Sequence, residues 1–256
     1  MSSQDISEAF EEWDFEPGSI TVRKIIGEDG KEKVQMRVEL GLIQMEVTGR
    51  PDGKQPNGME SYLEYQEAMR DKYVDENDND YGFTLNVEEC AQLREESLHY
   101  YYRYLSLFHL NEFEQVANDT SRNLQASLML RQYAEEDEDR YSIEQYRPYI
   151  LMMNTQARAR LASMEGRPYD ALGIVREGRR KILKFIDENY SLFGISENCP
   201  EMGILESLEQ ELMGDLPDDS IERLRDELNK AVAAQEFEKA ASLRDRIRSI
   251  EEDGDG

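Results

Sequence analysis

The sequence predicts a mainly α-helical protein of the α+β class, with a small N-terminal sheet, a helical middle and a C-terminal antiparallel helical hairpin. Apolar and polar residues alternate only near the N-terminus, which is the two-residue period of a half-buried strand. From about residue 87 apolar residues recur at helical spacing, and Gly, Pro or acidic runs separate the segments. We therefore predict four parts, which are an acidic arm at 1–18, a β-containing module at 19–86, a helical-hairpin domain at 87–213 and a terminal hairpin at 217–252.

Composition excludes several broad classes of function. The chain carries 30 Lys and Arg against 56 Asp and Glu, a formal net charge of −26. This charge disfavours general nucleic-acid binding, which depends on neutralising phosphates, and docking on anionic membranes. No stretch reaches the roughly 18 apolar residues of a membrane span, and no signal peptide is indicated at the N-terminus. We expect a cytoplasmic protein with protein partners and no cofactor.

The first elements are an arm and a β-hairpin. Residues 1–18 contain six acids and no base, so we predict an extended arm that docks through Phe10, Trp13 and Phe15. A first strand around 20–26 precedes a hairpin-type turn at 28–31. A second strand alternates strictly from Val34 to Leu42. The phase then flips beside Gly41, which suggests a bulge or a bend, because a one-residue slip moves every side chain to the other face.

The helical middle follows a Gly- and Pro-rich loop at 49–58. Pro148 falls near the first turns of one helix or kinks it, and the acidic run at 135–139 is predicted to be a solvated connection. The predicted helices span 59–72, 87–110, 114–135, 143–164, 169–189 and 202–213.

Two helix–helix turns in this region resemble each other. Asn111 precedes Val116 by five residues, and Gly166 precedes Ala171 by five, with an aromatic residue inside each turn. This arrangement resembles the turn of tetratricopeptide helix pairs. The two turns are 55 residues apart, which is not the period of a regular array. An ordinary helical bundle therefore remains the alternative.

The C-terminal segment carries the most specific pattern. Ser220 or a preceding Asp can cap a helix whose apolar stripe includes Ile221, Leu224, Leu228, Ala231 and Val232. A short step at 234–236 allows a tight turn. The second stripe then comprises Phe237, Ala240, Ala241, Leu243, Ile247 and Ile250.

This hairpin resembles the UVR motif, the interaction hairpin of the bacterial excision-repair proteins UvrB and UvrC, which also occurs in regulators and adaptors of Clp proteases. The run Phe-Glu-x-Ala-Ala-x-Leu-Arg-Asp at 237–245 is the most specific part of the match. The resemblance implies binding to a matching hairpin on a partner protein or on a second copy, as in a homodimer. The β block at 34–58 is also similar to a segment of uncharacterised bacterial proteins that end in the same motif. The predicted interaction residues are Leu224, Leu228, Phe237, Glu238, Ala241, Arg244 and Asp245.

A basic segment interrupts the acidic chain. Residues 158–184 contain eight bases and three acids. Arg176, Arg180 and Lys184 share one helical face by their four-residue spacing and are the candidate nucleic-acid contacts. Neutralisation of acidic neighbours, including 135–139, is the simpler interpretation.

Other patterns give weaker hypotheses. The loop Gly49–Lys54 superficially resembles a phosphate-binding loop, but it lacks the spacing and the Ser or Thr that would bind Mg²⁺. Residues 77–88 match a calcium loop at a few positions, with Tyr81 where an oxygen ligand is expected. The run Tyr100–Tyr104 can pack in the core, or it can line a groove for a peptide.

These observations lead to two functional hypotheses. The first is a non-enzymatic bacterial adaptor or regulatory protein that binds a partner, or itself, through the hairpin. The alternative is an accessory of nucleotide-excision repair that contacts DNA through 158–184. We expect no enzymatic activity, because the sequence marks no nucleophile, acid–base pair or metal set.

Overall fold

The computed structural model describes residues 6–11 and 13–254, with side chains described up to residue 250. The predicted class is confirmed, because helices dominate and a three-stranded antiparallel sheet lies near the N-terminus. Short 3-10 turns occur at Ser7–Phe10, Pro56–Gly58 and Glu144–Tyr146. The helices are α1 (Tyr62–Asn77), α2 (Val87–His109), α3 (Phe113–Tyr133), α4 (Asp137–Tyr141), α5 (Arg147–Met164), α6 (Pro168–Phe193), α7 (Pro200–Gly214), α8 (Ile221–Ala233) and α9 (Phe237–Gly254).

The sheet has the order β1 (Val22–Ile26), β2 (Glu32–Val38) and β3 (Gly41–Glu46). The predicted bulge or bend at Gly41 is wrong. Val38 pairs with Gly41 across a two-residue hairpin turn, and Leu40 in that turn is exposed. Directly paired residues face the same side of a sheet, so a two-residue turn changes the phase of the alternation and explains the flip.

The acidic arm docks on the sheet through cation–π contacts. Trp13 is buried, and the guanidinium of Arg23 lies 3.9 Å from its ring centroid. Arg37 lies 3.9 Å from the ring of Phe10 and 6.0 Å from that of Phe15. The predicted docking is therefore confirmed for these residues. The predicted extended form is wrong at Ser7–Phe10, which forms a 3-10 turn, and positions 1–5 and 12 lie outside the described residues.

The sheet and the helices share one main core. Val34 and Met45 on the buried face of the sheet join a cluster that includes Leu107, Val116 and Ile182. Helices α2, α3, α5, α6 and α7 each contact the next in this order. Helices α5 and α6 are in close contact at Gly178, where an added Cβ would lie 2.1 Å from the Thr155 hydroxyl oxygen.

Buried ion pairs hold the Gly- and Pro-rich loop against the helices. The buried carboxylate of Glu96 accepts hydrogen bonds from the backbone N–H groups of Tyr62 (2.7 Å) and Leu63 (3.1 Å). It also pairs with Arg50 at 2.9 Å and with Arg122. The loop that superficially resembles a phosphate-binding loop therefore directs its arginine into the protein interior.

The acidic run at 135–139 differs from its predicted form. It includes the start of α4, and Asp139 is buried where it pairs with Arg94 of α2. The prediction of a wholly solvated connection is wrong, because one carboxylate of the run has a buried cationic partner. Pro148 lies in the first turn of α5, where its missing N–H leaves no helical hydrogen bond unmade.

Candidate protein-interaction site

The C-terminal hairpin forms for local reasons. The hydroxyl of Ser220 accepts a hydrogen bond from the backbone N–H of Arg223 at 3.4 Å and caps α8. Helix α8 ends at a turn in which Gln235 has a φ of 60°. The backbone N–H of Glu236 then donates to the carbonyl of Ala231 at 2.8 Å. This closure returns the chain antiparallel to α8 and starts α9.

A small core holds the two helices together. It contains Leu224, Ala231, Ala240, Leu243 and Ile247, and it is separate from the main core. Leu228 is partly buried against it. Two of the predicted interaction residues, Leu224 and Leu228, therefore stabilise the hairpin from within.

The other five predicted interaction residues lie on the outer side of the hairpin. Phe237, Glu238, Ala241, Arg244 and Asp245 are all exposed. Phe237 and Ala241 are one turn apart on α9, and Asp245 follows one turn later, so the three share a helical face. This face begins with a large aromatic ring and ends with a pair of opposite charges.

The charged pair on this face is local. The guanidinium of Arg244 donates to Asp245 at 2.9 Å and 3.1 Å. The hydrogen bond and the positive charge of Arg244 hold the pKa of Asp245 below its usual value. Because both side chains are exposed, the pair adds little stability and remains accessible to charged groups of another molecule.

The predicted apolar stripes require a correction at the corner of the hairpin, which is the turn from α8 into α9 at residues 234–238. Phe237 and Ala241 do not lie in the inner stripe, because the inner positions of α9 are 240, 243, 247 and 250. Val232 is 52% exposed, so it also faces outward. The inner positions of α8 are 221, 224, 228 and 231, and their alternation of three- and four-residue steps passes over Val232. That spacing was the signal that could have identified Val232 as a surface residue.

The corner has the same backbone turn as a hairpin of the main body. Asn111 between α2 and α3 also has a φ of 60°, and Glu112 N–H donates to the carbonyl of Leu107 at 2.9 Å. A phenylalanine follows the left-handed residue by two positions in both turns. Phe113 is 7% exposed, but Phe237 is 70% exposed.

Few contacts join the hairpin to the body. The guanidinium of Arg223 donates to the carbonyl of Leu216 at 3.0 Å, and Lys230 donates to Gln210 at 3.4 Å. Neither contact lies at the corner. Phe237 is 70% exposed, so the part of the chain that the structure describes leaves its ring largely uncovered.

The basic residues of α6 are engaged in ion pairs. Arg176 pairs with Glu209 of α7 at 2.8 Å. Arg180 pairs with Glu177 at 2.5 Å, and Lys184 approaches Glu188 at 3.8 Å. The predicted neutralisation is therefore found, but these partners belong to α6 and α7, and the run 135–139 supplies none of them.

The remaining sequence-level candidates occupy ordinary positions. Tyr81, in the loop compared with a calcium site, is exposed beyond the end of α1. Among the described residues, no three His, Cys, Asp or Glu side chains cluster as metal ligands. In the same part of the chain, no helix has both the length and the apolar character that a bilayer span requires.

The comparisons with known proteins concern only the hairpin. No curated protein and no solved structure matches the chain, so the tetratricopeptide-like resemblance of the helical middle stays a prediction. The family model described as the UvrB/uvrC motif matches residues 218–253. The C-terminal hairpin is therefore a UVR motif, as its sequence indicates.

Proposed function

We propose that this chain is a non-enzymatic adaptor or regulatory protein of bacterial type, which binds a protein partner or a second copy through its UVR hairpin. The observation that carries the proposal is the exposure of Phe237 at the corner. An exposed aromatic ring is typical of an interface anchor, and Val232 near the end of α8 is a second exposed apolar residue of the hairpin. The equivalent ring in the body, Phe113, is covered by its own chain.

Charge supports the same surface. Residues 217–252 contain ten acids and seven bases, whereas the whole chain has a net charge of −26. Like charges repel at an interface, so a nearly neutral segment can approach another protein at less electrostatic cost. Arg244 and Asp245 then supply one charge of each sign, which can set the register of an interface.

The size of the hairpin gives a physical reason for a partner. Units below about 40 residues rarely bury enough apolar surface to be stable without help. The core of this hairpin is small and separate from the main core. Association that covers Phe237 and Val232 would therefore stabilise the hairpin as well as the complex.

The alternative, contact with DNA through 158–184, has weaker support. Positive side chains bind phosphates best when their charge is not already compensated. Each of Arg176, Arg180 and Lys184 has a glutamate partner. A low-salt DNA retention assay of Arg180→Glu beside the wild-type chain tests this alternative.

The main test replaces the corner aromatic. Phe237→Asp should weaken self-association or partner capture by at least about thirtyfold, since hot-spot residues contribute roughly 2 kcal/mol or more. Light scattering measures self-association, and pull-down from the native cells measures partner capture. Tyr81→Asp is the matched control, because Tyr81 is also an exposed aromatic residue. Equal association of both variants and the wild type would contradict the proposal.

A further inference from the structure

A groove on the main body lies apart from the hairpin. It encloses about 500 Å³ between α2, the turn that precedes α5, and α5 itself. Its walls are mostly aromatic and aliphatic, and its volume is in the range of ligand sites in proteins. The side chains that form these walls include Leu98, Tyr101, Tyr104, Ile143, Tyr146 and Tyr149.

The four tyrosines of this tyrosine groove occupy different depths. Tyr104 is buried and forms the floor, whereas Tyr146 is 58% exposed at the mouth. Tyr101 contacts Tyr104 edge to face at 5.5 Å between ring centroids and lies 6.2 Å from Tyr149. Several ring faces and edges therefore converge on one space.

Three of these tyrosines, Tyr101, Tyr146 and Tyr149, are not buried, so a ligand in the groove can reach them. Within the described residues, none of the four hydroxyls is paired in a hydrogen bond. Burial raises the pKa of Tyr149 to about 12 and raises that of Tyr104 as well. Both groups are thus neutral phenols at neutral pH, and their oxygens can accept a hydrogen bond.

An exposed acidic run leads in sequence to the groove, and one of its members, Asp137, pairs with Arg140 at 3.6 Å. Arg94 is the one charged residue among those that line it, and Arg94 is paired with the buried Asp139. The residues that immediately precede Asp139, at 135–138, are all acidic and exposed. Glu95, next to Arg94 on α2, is also exposed. A cation that approaches the groove therefore meets an attractive field.

We propose that the tyrosine groove binds a basic segment of a partner protein, which inserts a lysine or arginine side chain among the tyrosine rings. Ring faces attract cations through their quadrupole. Phenol oxygens accept hydrogen bonds from an ammonium or guanidinium group. The acidic residues at 135–138 attract the remaining basic residues of the segment. This surface is separate from the UVR hairpin, so its binding does not depend on the function proposed above.

The test uses full-length protein and three fluorescent peptides of the same length, which differ only in the residue that alternates with leucine. The first alternates lysine with leucine, the second replaces lysine with norleucine, and the third replaces it with glutamate. Norleucine keeps the aliphatic stem and removes the ammonium group. At about 0.15 M ionic strength, where exposed long-range charges are largely screened, anisotropy titration should show at least tenfold tighter binding of the lysine peptide than of either other peptide.

Groove variants separate this site from general attraction to an acidic protein. Tyr146→Ala should weaken lysine-peptide binding about five- to tenfold, as expected for one cation–π contact. Tyr146→Phe, which keeps the ring, should retain most of the affinity. Tyr81→Ala removes an exposed tyrosine elsewhere and should leave the affinity unchanged. Phe237→Asp should also leave it unchanged, which distinguishes this site from the hairpin.

A pair of charge variants tests the acidic border. Glu136→Gln with Glu138→Gln should weaken binding more than Glu16→Gln with Glu28→Gln, although both pairs remove two exposed carboxylates. Equal binding of the lysine and norleucine peptides would overturn the proposal in favour of a purely apolar occupant. Preference for the glutamate peptide would assign the groove to an acidic segment through Arg94. If Tyr146→Ala binds the lysine peptide as tightly as the wild type does, the peptide binds elsewhere on the protein.

Discussion

The two phenylalanines at positions 113 and 237 follow the same backbone turn but have opposite surroundings. Phe113 packs into the main core and contacts Phe108 edge to face at 5.5 Å between ring centroids. Phe237 is largely exposed. The turn is therefore a local property of the chain, whereas the covering of its aromatic residue depends on what packs next to it.

This difference shows which interactions stabilise each of the two helical hairpins. Helices α2 and α3 have further helices and the sheet to complete their core. Among the described residues, the apolar core of α8 and α9 is the small cluster between the two helices. A covered aromatic residue contributes to the folding of its own chain, and an uncovered one can contribute to association.

The largest expected effect comes from making the same change at both corners. Phe113→Ala should lower the free energy of unfolding of the body by about 3–5 kcal/mol, because it leaves a cavity in the main core. Phe237→Ala in dilute protein should lower it by about 0.5 kcal/mol or less, as for exposed positions. Urea unfolding followed by circular dichroism measures both changes. Comparable losses at the two corners would show that Phe237 is covered within its own chain.

The second prediction separates the stability of the hairpin from that of the body. Leu224 is fully buried in the small core, so Leu224→Ala should cost about 2–5 kcal/mol within the hairpin. Hydrogen exchange should then lose protection at amides of 224–250, while amides of α3 keep theirs. Leu98→Ala, at an exposed position on the body, is the control. Loss of protection in α3 as well would mean that the two cores unfold together.

The third prediction concerns acid. Burial alone would raise the pKa of Glu144, but hydrogen bonds from Arg147 and Ser127 and the charge of Arg131 outweigh it, and the pKa lies below its usual value. A lowered pKa in the folded state stabilises the protein above the unfolded-state value of about 4.3, and this contribution is lost as the pH falls through the folded-state value. Among the described residues of the hairpin, no carboxylate is buried, and the ion-paired Asp245 is exposed, where such pairs contribute little. Acid should therefore destabilise the body before the hairpin.

The measurement for this prediction is urea unfolding of the body from about pH 6 down to about pH 3, a range that brackets the titration of carboxylates. Glu144→Gln should be less stable than the wild type at pH 6 and should depend less on pH. Glu138→Gln, which changes an exposed carboxylate, should keep the wild-type slope. A wild-type slope in Glu144→Gln would assign the acid sensitivity to another group.

Much of the fold could be predicted because its signals are local. The helices, the strand alternation and the UVR pattern depend on residues that are close in the sequence. The interactions that position the loop at 49–58 could not be predicted in this way. Arg50 pairs with Glu96, and Arg103 pairs with Asp119 at 2.7 Å and 2.8 Å. These partners are too far apart in the sequence for a hydrophobic repeat to predict their pairing.

The candidate site shows the same division. The resemblance identified the hairpin and the positions that match the motif, but it did not separate inner from outer residues. Leu224 lies inside and Phe237 outside, although both are apolar residues of one motif. Likewise, the tyrosine run at 100–104 predicted either packing in the core or a groove for a peptide. The groove also needs Tyr146 and Tyr149, which line it together with Tyr101 but lie far from that run in the sequence.

The smallest expected effect comes from the turn itself. Gln235 adopts a left-handed conformation, which costs a residue with a Cβ roughly 1–2 kcal/mol, and the corresponding residue in another body turn is Gly166, with a φ of 74°. Gln235→Gly should therefore stabilise the hairpin by about 0.5–1 kcal/mol, after the greater entropy of glycine in the unfolded chain is subtracted. Hydrogen exchange of α8 and α9 measures this gain. Asn111→Gly should give a smaller gain, because asparagine tolerates this conformation better. If Gln235→Gly slows exchange without changing association, the turn sets only the stability of the hairpin, and Phe237 sets its affinity for a partner.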